Sequence, residues 1–294
     1  MPTADSLRKN QPPEKLALVN DLAGYGRCSL TVAMPIISQL GVQCCPLPTA
    51  IFSNHTGYPT WHMTDYTSEL PAYLDAWKNL DISFDGILTG FLGSQAQADI
   101  IRLFLSDFKK ENTLYILDPA MGDNGRAYAT CGAQIQESMR ELVAAADVVT
   151  PNLTEACLLT KTAYRPDFTR MELQQMAQEL LEMGPEQVVI TGISCGSYVG
   201  NLCMTSGAST LLRTKKVPQS RHGTGDIFAA ILAAELVKAA SADTGSRLSF
   251  SHTALTAAVK KASGFVRKCL LVSDAASVPE PEGVCFEKIL YQLK

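Results

Sequence analysis

Short, largely apolar runs alternate along this chain with longer amphipathic ones, and each apolar run stops at a polar residue, a glycine or a proline. Leu16-Ala17-Leu18-Val19 stops at Asn20-Asp21, Gly86-Ile87-Leu88-Thr89 at Gly90, and Leu114-Tyr115-Ile116-Leu117 at Asp118. Asp147-Val148-Val149-Thr150 stops at Pro151, and Gln187-Val188-Val189-Ile190-Thr191 at Gly192. A strand wetted on one face shows polar alternation; runs without it are covered on both faces, as in a parallel sheet. Helical patterns fill the intervals. Residues 95–108 carry Ile100, Phe104 and Phe108 on one face, with Ile101 and Leu105 beside them, and residues 133–145 carry Ile135, Met139, Leu142 and Val143. This alternation predicts βαβ units with helices on both faces of a mostly parallel sheet.

The later part of the chain differs. Residues 196–214 are rich in Gly, Ser and Thr and read as a short antiparallel meander at a sheet edge. Helices over 224–240 and 249–270 follow. Residues 1–15 are polar and contain Pro12 and Pro13, so they read as a loose tail, and residues 16–294 as a single α/β domain. With 46% hydrophobic residues in 294, the chain can bury a large core. A net charge of -4 argues against nucleic acid or anionic membrane as the main partner. No apolar run is long enough to span a bilayer. The nine cysteines include no C-x-x-C pair, which fits small core side chains in a reducing, cytoplasmic setting.

In an open α/β sheet, ligands gather at the carboxyl ends of the strands, so the residues that end the apolar runs are the first candidates for a site. The sharpest segment lies further on, at His222-Gly223-Thr224-Gly225-Asp226, directly before a helical run. Glycines there let the backbone approach a ligand. The first amides of the helix, with no intrahelical partner, form an anion site suited to a phosphoryl group. Asp226, in the first turn, is placed to take a proton from an attacking hydroxyl; the plainer reading is a helix cap. Neither a P-loop nor a complete dinucleotide fingerprint is present, since Gly24-Tyr25-Gly26 lacks the third glycine. Asp118-Pro119-Ala120-Met121-Gly122-Asp123 offers hard oxygen ligands for Mg2+, or simply an Asp- and Gly-rich turn. Thr150-Pro151-Asn152-Leu153-Thr154-Glu155 offers polar groups to a metal's water shell, or a capping pair. Phe52-Ser53-Asn54-His55-Thr56-Gly57-Tyr58 mixes hydrogen-bonding groups with aromatics, as a polar heteroaromatic ligand requires and as an ordinary polar loop also allows.

Taken in this order, these segments and Leu88-Thr89-Gly90-Phe91-Leu92-Gly93-Ser94 resemble the ribokinase-like superfamily, and within it the pyridoxal/pyridoxine/pyridoxamine kinases, from about residue 16 to 270. The resemblance implies a three-layer α/β/α fold and ATP-dependent phosphorylation of the 5'-hydroxymethyl group of a B6 vitamer. In that reading Asp226 is the catalytic base and Gly223, Thr224 and Gly225 form the anion hole. Asp118, Tyr128, Thr150, Glu155, Thr191 and Gly192 face ATP. Asp118, Asp123 and Glu155 serve Mg2+, with a monovalent cation such as K+ as a further cofactor. Asn20, Thr56 and Phe91 hold the pyridine ring. A homodimer is also implied. The chain departs from the family pattern at Asn20, where serine is common, and at Phe91, where tyrosine is common. Related hydroxymethylpyrimidine kinases share the fold and the Gly-Thr-Gly-Asp-like motif and are the second reading. A non-catalytic vitamin-binding protein is the third, and the intact motif at residues 223–226 speaks against it.

Overall fold

The structure, a computed structural model, describes residues 12–242 and 251–293. Its frame is a nine-stranded sheet in the order β11-β10-β9-β8-β5-β4-β1-β2-β3. The strands are β1 (Lys15–Ala23), β2 (Gln43–Phe52), β3 (Met63–Asp65), β4 (Gly86–Thr89), β5 (Leu114–Leu117), β8 (Val148–Val149), β9 (Gln187–Cys195), β10 (Tyr198–Thr205) and β11 (Ala208–Lys215). From β2 across to β9 every pairing is parallel; β3 at one end, and β10 and β11 at the other, run antiparallel. A small hairpin, β6 (Gly122–Asp123) and β7 (Arg126–Ala127), stands apart at the strand ends.

Helices cover both faces. Successive strand residues point to opposite sides, and the apolar runs feed two cores accordingly. Leu16, Leu18, Leu88, Leu114 and Ile116 pack with α1 (Ser29–Gln39), α7 (Thr224–Ala242) and α8 (His252–Ala275). Ala17, Val19, Ile87, Tyr115 and Leu117 pack with α2 (Leu70–Asn79), α3 (Gln95–Phe108), α4 (Ala133–Ala145), α5 (Leu153–Thr160) and α6 (Arg170–Glu182). The fold is therefore the expected three-layer α/β/α sandwich. Each fully buried Leu or Ile in it is worth roughly 1.5–3 kcal/mol over an exposed one.

The boundaries differ instructively from the apolar runs. β4, β5, α3 and α4 begin and end where the pattern does. β1 starts at Lys15, inside the expected tail, because it pairs with β2 from Gln43 onward; residues 1–11 lie outside the described residues. β9 runs past Gly192 to Cys195 because β10 extends its ladder beyond the parallel part. Thr191 and Gly192 thus sit within a strand and not after one, beside a register shift in the β9–β10 ladder. In α3 the buried stripe is Ile101, Phe104, Leu105 and Phe108, with Ile100 only half-buried. The last helix is described from His252 to Ala275, so Ser249 and Phe250 lie outside the described residues. β2 gives no strand signal because it contains Pro46 and Pro48. Its outer edge is paired with β3 only over Ala50–Phe52, so the prolines fall where that edge needs no N–H. Among the described residues no helix is long and apolar enough to cross a membrane.

Candidate active site

Asp226 lies in the first turn of α7, whose first intrahelical bond runs from the Ile227 N–H to the Gly223 carbonyl at 3.0 Å. The amides of Thr224 and Gly225 come before that ladder and have no helical partner to serve. Gly223 makes this turn with φ +85. A Cβ there would meet the Arg27 carbonyl oxygen at 2.2 Å, so only glycine fits. The turn is braced from behind by the Val284 N–H to the His222 carbonyl at 3.1 Å and by the Arg27 N–H to the Glu282 carbonyl at 3.1 Å.

The main-chain N–H of Ser29, the Asp226 N–H itself and the Asn20 side chain face the Asp226 carboxylate and favour its ionised form. Burial nevertheless holds its pKa above the ordinary aspartate range. Asp118, at the end of β5, lines the same small cavity as Asp226, Asn20 and Gly90. Its Oδ1 accepts from the Thr150 hydroxyl at 2.9 Å. Desolvation raises its pKa first, and the Asp226 charge adds to this despite the Thr150 bond. Gly90 is small because a Cβ would strike the Asn20 amide at 2.7 Å.

Glu155 caps α5. Its Oε2 accepts from the Asn152 N–H at 2.8 Å, the Asn152 Oδ1 accepts from the Glu155 N–H at 3.0 Å, and its Oε1 takes the Met121 N–H at 3.2 Å. The capping alternative is thus realised, and this buried carboxylate also sits close enough to Asp118 for that charge to raise its pKa after burial has done so. Tyr128 is half-exposed; burial raises its pKa, and the charges of Glu155, Asp123, Asp118 and Asp226 raise it further, which places it at the rim of the acidic cluster. Asp123 is exposed in the β6–β7 hairpin, where it accepts from the Asn124 N–H at 2.8 Å. Asp118, Asp123 and Glu155 do not converge into a ready-made metal site: among the described residues no three His, Cys, Asp or Glu side chains do. The charges that act on Asp118 and Glu155 are those of other carboxylates, so a hard cation brought in with phosphates suits this cluster.

Beyond Asn20 lies an aromatic wall. Phe91 follows β4, packs on Ala23, Cys28, Ala50 and Phe52, and meets the Phe52 ring edge-on at 6.1 Å; Trp61 stands 5.8 Å from Phe52. Asn20 has less freedom than expected for a ring contact, since its Oδ1 already accepts from the Phe91 N–H at 2.9 Å and the Asp21 N–H at 3.0 Å. Thr56 is exposed in the loop after β2. That loop is tied to the anion turn by the stacking of His55 on His222, with centroids 4.3 Å apart. The His55 Nδ1 accepts from the Gly57 N–H at 3.1 Å, so its Nε2 carries the proton and donates to the Pro281 carbonyl at 2.6 Å. The spacing of the two histidines along the chain carries no sign of this stack.

Asp21 is a further acid at this end of the sheet. It is 7% exposed, takes the Ser29 hydroxyl at 2.7 Å, and is pushed up to about 6, first by burial and then by the Asp226 charge. An acid whose folded pKa is raised contributes stability that is present at low pH and is lost as pH rises through that value. Between pH 5 and pH 8 the wild type is therefore expected to lose roughly 1–2 kcal/mol more than Asp21→Asn. Denaturant melts of both proteins at the two pH values measure this; parallel losses would remove the ionised Asp21 from the balance.

Fold and strand-end geometry together define a class, the ribokinase-like kinases. Comparisons with known proteins narrow it. A family model described as phosphomethylpyrimidine kinase matches residues 34–277. A pyridoxine/pyridoxal/pyridoxamine kinase from Bordetella avium is 32% identical over 234 residues, covering 74% of this chain and 75% of its own. A pyridoxal kinase from Leifsonia xyli is 27% identical over 81% of this chain and 86% of its own. A Bacteroides thetaiotaomicron protein whose crystal structures carry the phosphomethylpyrimidine kinase name superposes with TM-score 0.87 in its form with pyridoxal, at 35% identity and 96% coverage of both chains. The chain belongs to the pyridoxal kinase family of the ribokinase-like fold.

Proposed function

We propose that this protein transfers the terminal phosphoryl group of ATP to the 5'-hydroxymethyl group of pyridoxal, pyridoxine or pyridoxamine. One observation carries the reading: a buried Asp226 stands beside the bare amides of its own helix, with an acidic cluster next to it and an aromatic wall beyond Asn20. The Bordetella relative named for all three vitamers, and the Bacteroides neighbour crystallised with pyridoxal, point to the same acceptor.

Phosphoryl transfer asks little covalent chemistry of a protein; alignment and charge stabilisation do most of the work. The amides at Gly223, Thr224 and Gly225 supply positive partial charge where the migrating phosphoryl gathers negative charge. Asp226 accepts the alcohol proton. Its raised pKa makes it, once ionised, a better base than an exposed aspartate. Asp118, steadied by Thr150, is the first candidate to hold Mg2+, which when bound offsets phosphate charge; Glu155 and Asp123 stand behind it. Tyr128, Thr150, Thr191 and Gly192 lie on the nucleotide side, and Asn20, Thr56 and Phe91 on the ring side. A homodimer and a monovalent cation complete the reading and are carried by the resemblance alone; a cytoplasmic setting is carried by the cysteine usage.

The second reading, a hydroxymethylpyrimidine phosphate kinase, has the family model's own description in its favour. A side-by-side assay of ATP consumption with pyridoxal, pyridoxine, pyridoxamine and hydroxymethylpyrimidine separates the two. Turnover on the three pyridines at least tenfold above the pyrimidine is expected; the reverse order would transfer the chain to the second reading, and no turnover on any would leave a binding protein.

A further inference from the structure

Among the described residues, five other than glycine have positive φ: Ser29, Asp81, Asn124, Lys161 and Ser277. The last four are exposed and sit where such residues usually do, at the end of α2, in the β6–β7 turn, at the C-cap of α5 and after α8. Ser29 is different. It is buried, it begins a helix instead of ending one, and its φ is +52. No side chain caps α1, so the Ser29 hydroxyl is not spent on its own helix; it donates to the Asp21 Oδ1 at 2.7 Å. Its main-chain N–H faces the Asp226 carboxylate, and the two residues before it, Arg27 and Cys28, lie against Gly223 of the anion turn. One residue thus stands between two acids, bonded to Asp21 through its hydroxyl and facing Asp226 with its backbone. On the sheet side the β1–β2 register shifts between Asn20 and Leu22, at Asp21 itself, and irregularities of this kind re-aim side chains beside active sites. Left-handed backbone in a non-glycine residue persists only where its surroundings enforce it.

We infer that Asp21 and Ser29 are positioning residues for the proton acceptor: Asp21 anchors the Ser29 hydroxyl, the anchor holds Ser29 in its left-handed turn, and the turn aims the Ser29 N–H at Asp226. Neither needs to touch a substrate. This rests on the reading of Asp226 as the base, and it extends that reading to the way the base is held in line with the alcohol. The plain alternative is that the Asp21–Ser29 bond only stabilises the start of α1.

Two pairs of variants distinguish these. Ser29→Ala and Ser29→Gly both delete the hydroxyl, but only glycine adopts φ +52 without an anchor. Asp21→Asn keeps an oxygen acceptor for Ser29, whereas Asp21→Ala removes it. With pyridoxal, ATP and Mg2+, Ser29→Ala is expected to lose kcat by about 10–100-fold, the scale of a small misplacement of a reacting group. KM for both substrates should stay within about threefold, and Ser29→Gly should recover about tenfold of the loss. Asp21→Ala should follow Ser29→Ala, and Asp21→Asn should follow Ser29→Gly. Melting curves identify any variant unfolded at the assay temperature, and if Ser29→Ala does not fold the Asp21 pair carries the same contrast. Equal kcat for alanine and glycine at residue 29, or for alanine and asparagine at residue 21, overturns the inference. Asp226→Asn, run alongside, separates the two levels. If it loses turnover while the paired variants match each other, only the positioning role falls; if it keeps turnover, the base assignment falls as well.

Discussion

Asp226→Asn is expected to lower kcat by about 10²–10⁴-fold, the range for a positioned general base, with KM for ATP and pyridoxal little changed. The substitution is close to isosteric. It keeps an oxygen facing the Ser29 N–H and removes a charge that burial disfavours, so the melting temperature should stay within a few degrees of wild type. What it removes is the ability to take a proton. The pH profile gives a second mark of the same effect. Asp226 acts only when ionised, and its pKa lies above the ordinary aspartate range, so wild-type activity should fall on the acid side at a higher pH than an exposed aspartate would impose. The residual activity of Asp226→Asn should lack that limb. Rapid turnover by the variant, with the limb in place, would mean that another group accepts the proton.

Gly223→Ala is expected to be at least as damaging, for a steric reason. A methyl group at this position would lie 2.2 Å from the Arg27 carbonyl oxygen, a backbone atom that cannot swing aside, and alanine is strained at φ +85 by about 1–2 kcal/mol. Relief requires the turn to move away from Arg27, carrying the Thr224 and Gly225 amides with it. Loss of a single donor of this kind costs about 10²–10³-fold in kcat, and here several shift together. Steady-state kinetics with a thermal melt would show both effects. Gly264→Ala is the control, since a Cβ there meets nothing within 4 Å and the residue lies in α8, away from the anion turn. If Gly223→Ala behaves like Gly264→Ala, the turn is not the rigid element described above.

The residues show why some of this was legible in the sequence and some was not. β4 and β5 coincide with their apolar runs because all four residues of each are buried, so the run and the strand are the same physical object. β1, β8 and β9 drift at their ends because a strand's length depends on its neighbour's ladder, which local composition does not encode. β2 was hidden by prolines that a partly free edge tolerates. The segment 223–226 stood out because an anion turn needs glycine at a set place before a helix, and the structure shows the steric demand at Gly223. Glu155 could be read as a cap or as a site group, and it is a cap that also lies beside Asp118. Asp21 was visible only as a polar residue ending an apolar run. Ser29 was not visible at all, because its turn at the start of α1 is imposed by a buried acid from β1 and leaves no motif.

The most direct measurement is a crystal structure of the protein with a non-hydrolysable ATP analogue, Mg2+ and pyridoxal. The terminal phosphate is expected within hydrogen-bond distance of the Thr224 and Gly225 amides, with the pyridoxal 5'-oxygen about 3 Å from the Asp226 carboxylate. A terminal phosphate bound away from residues 223–226, or an alcohol that does not reach Asp226, would contradict the account.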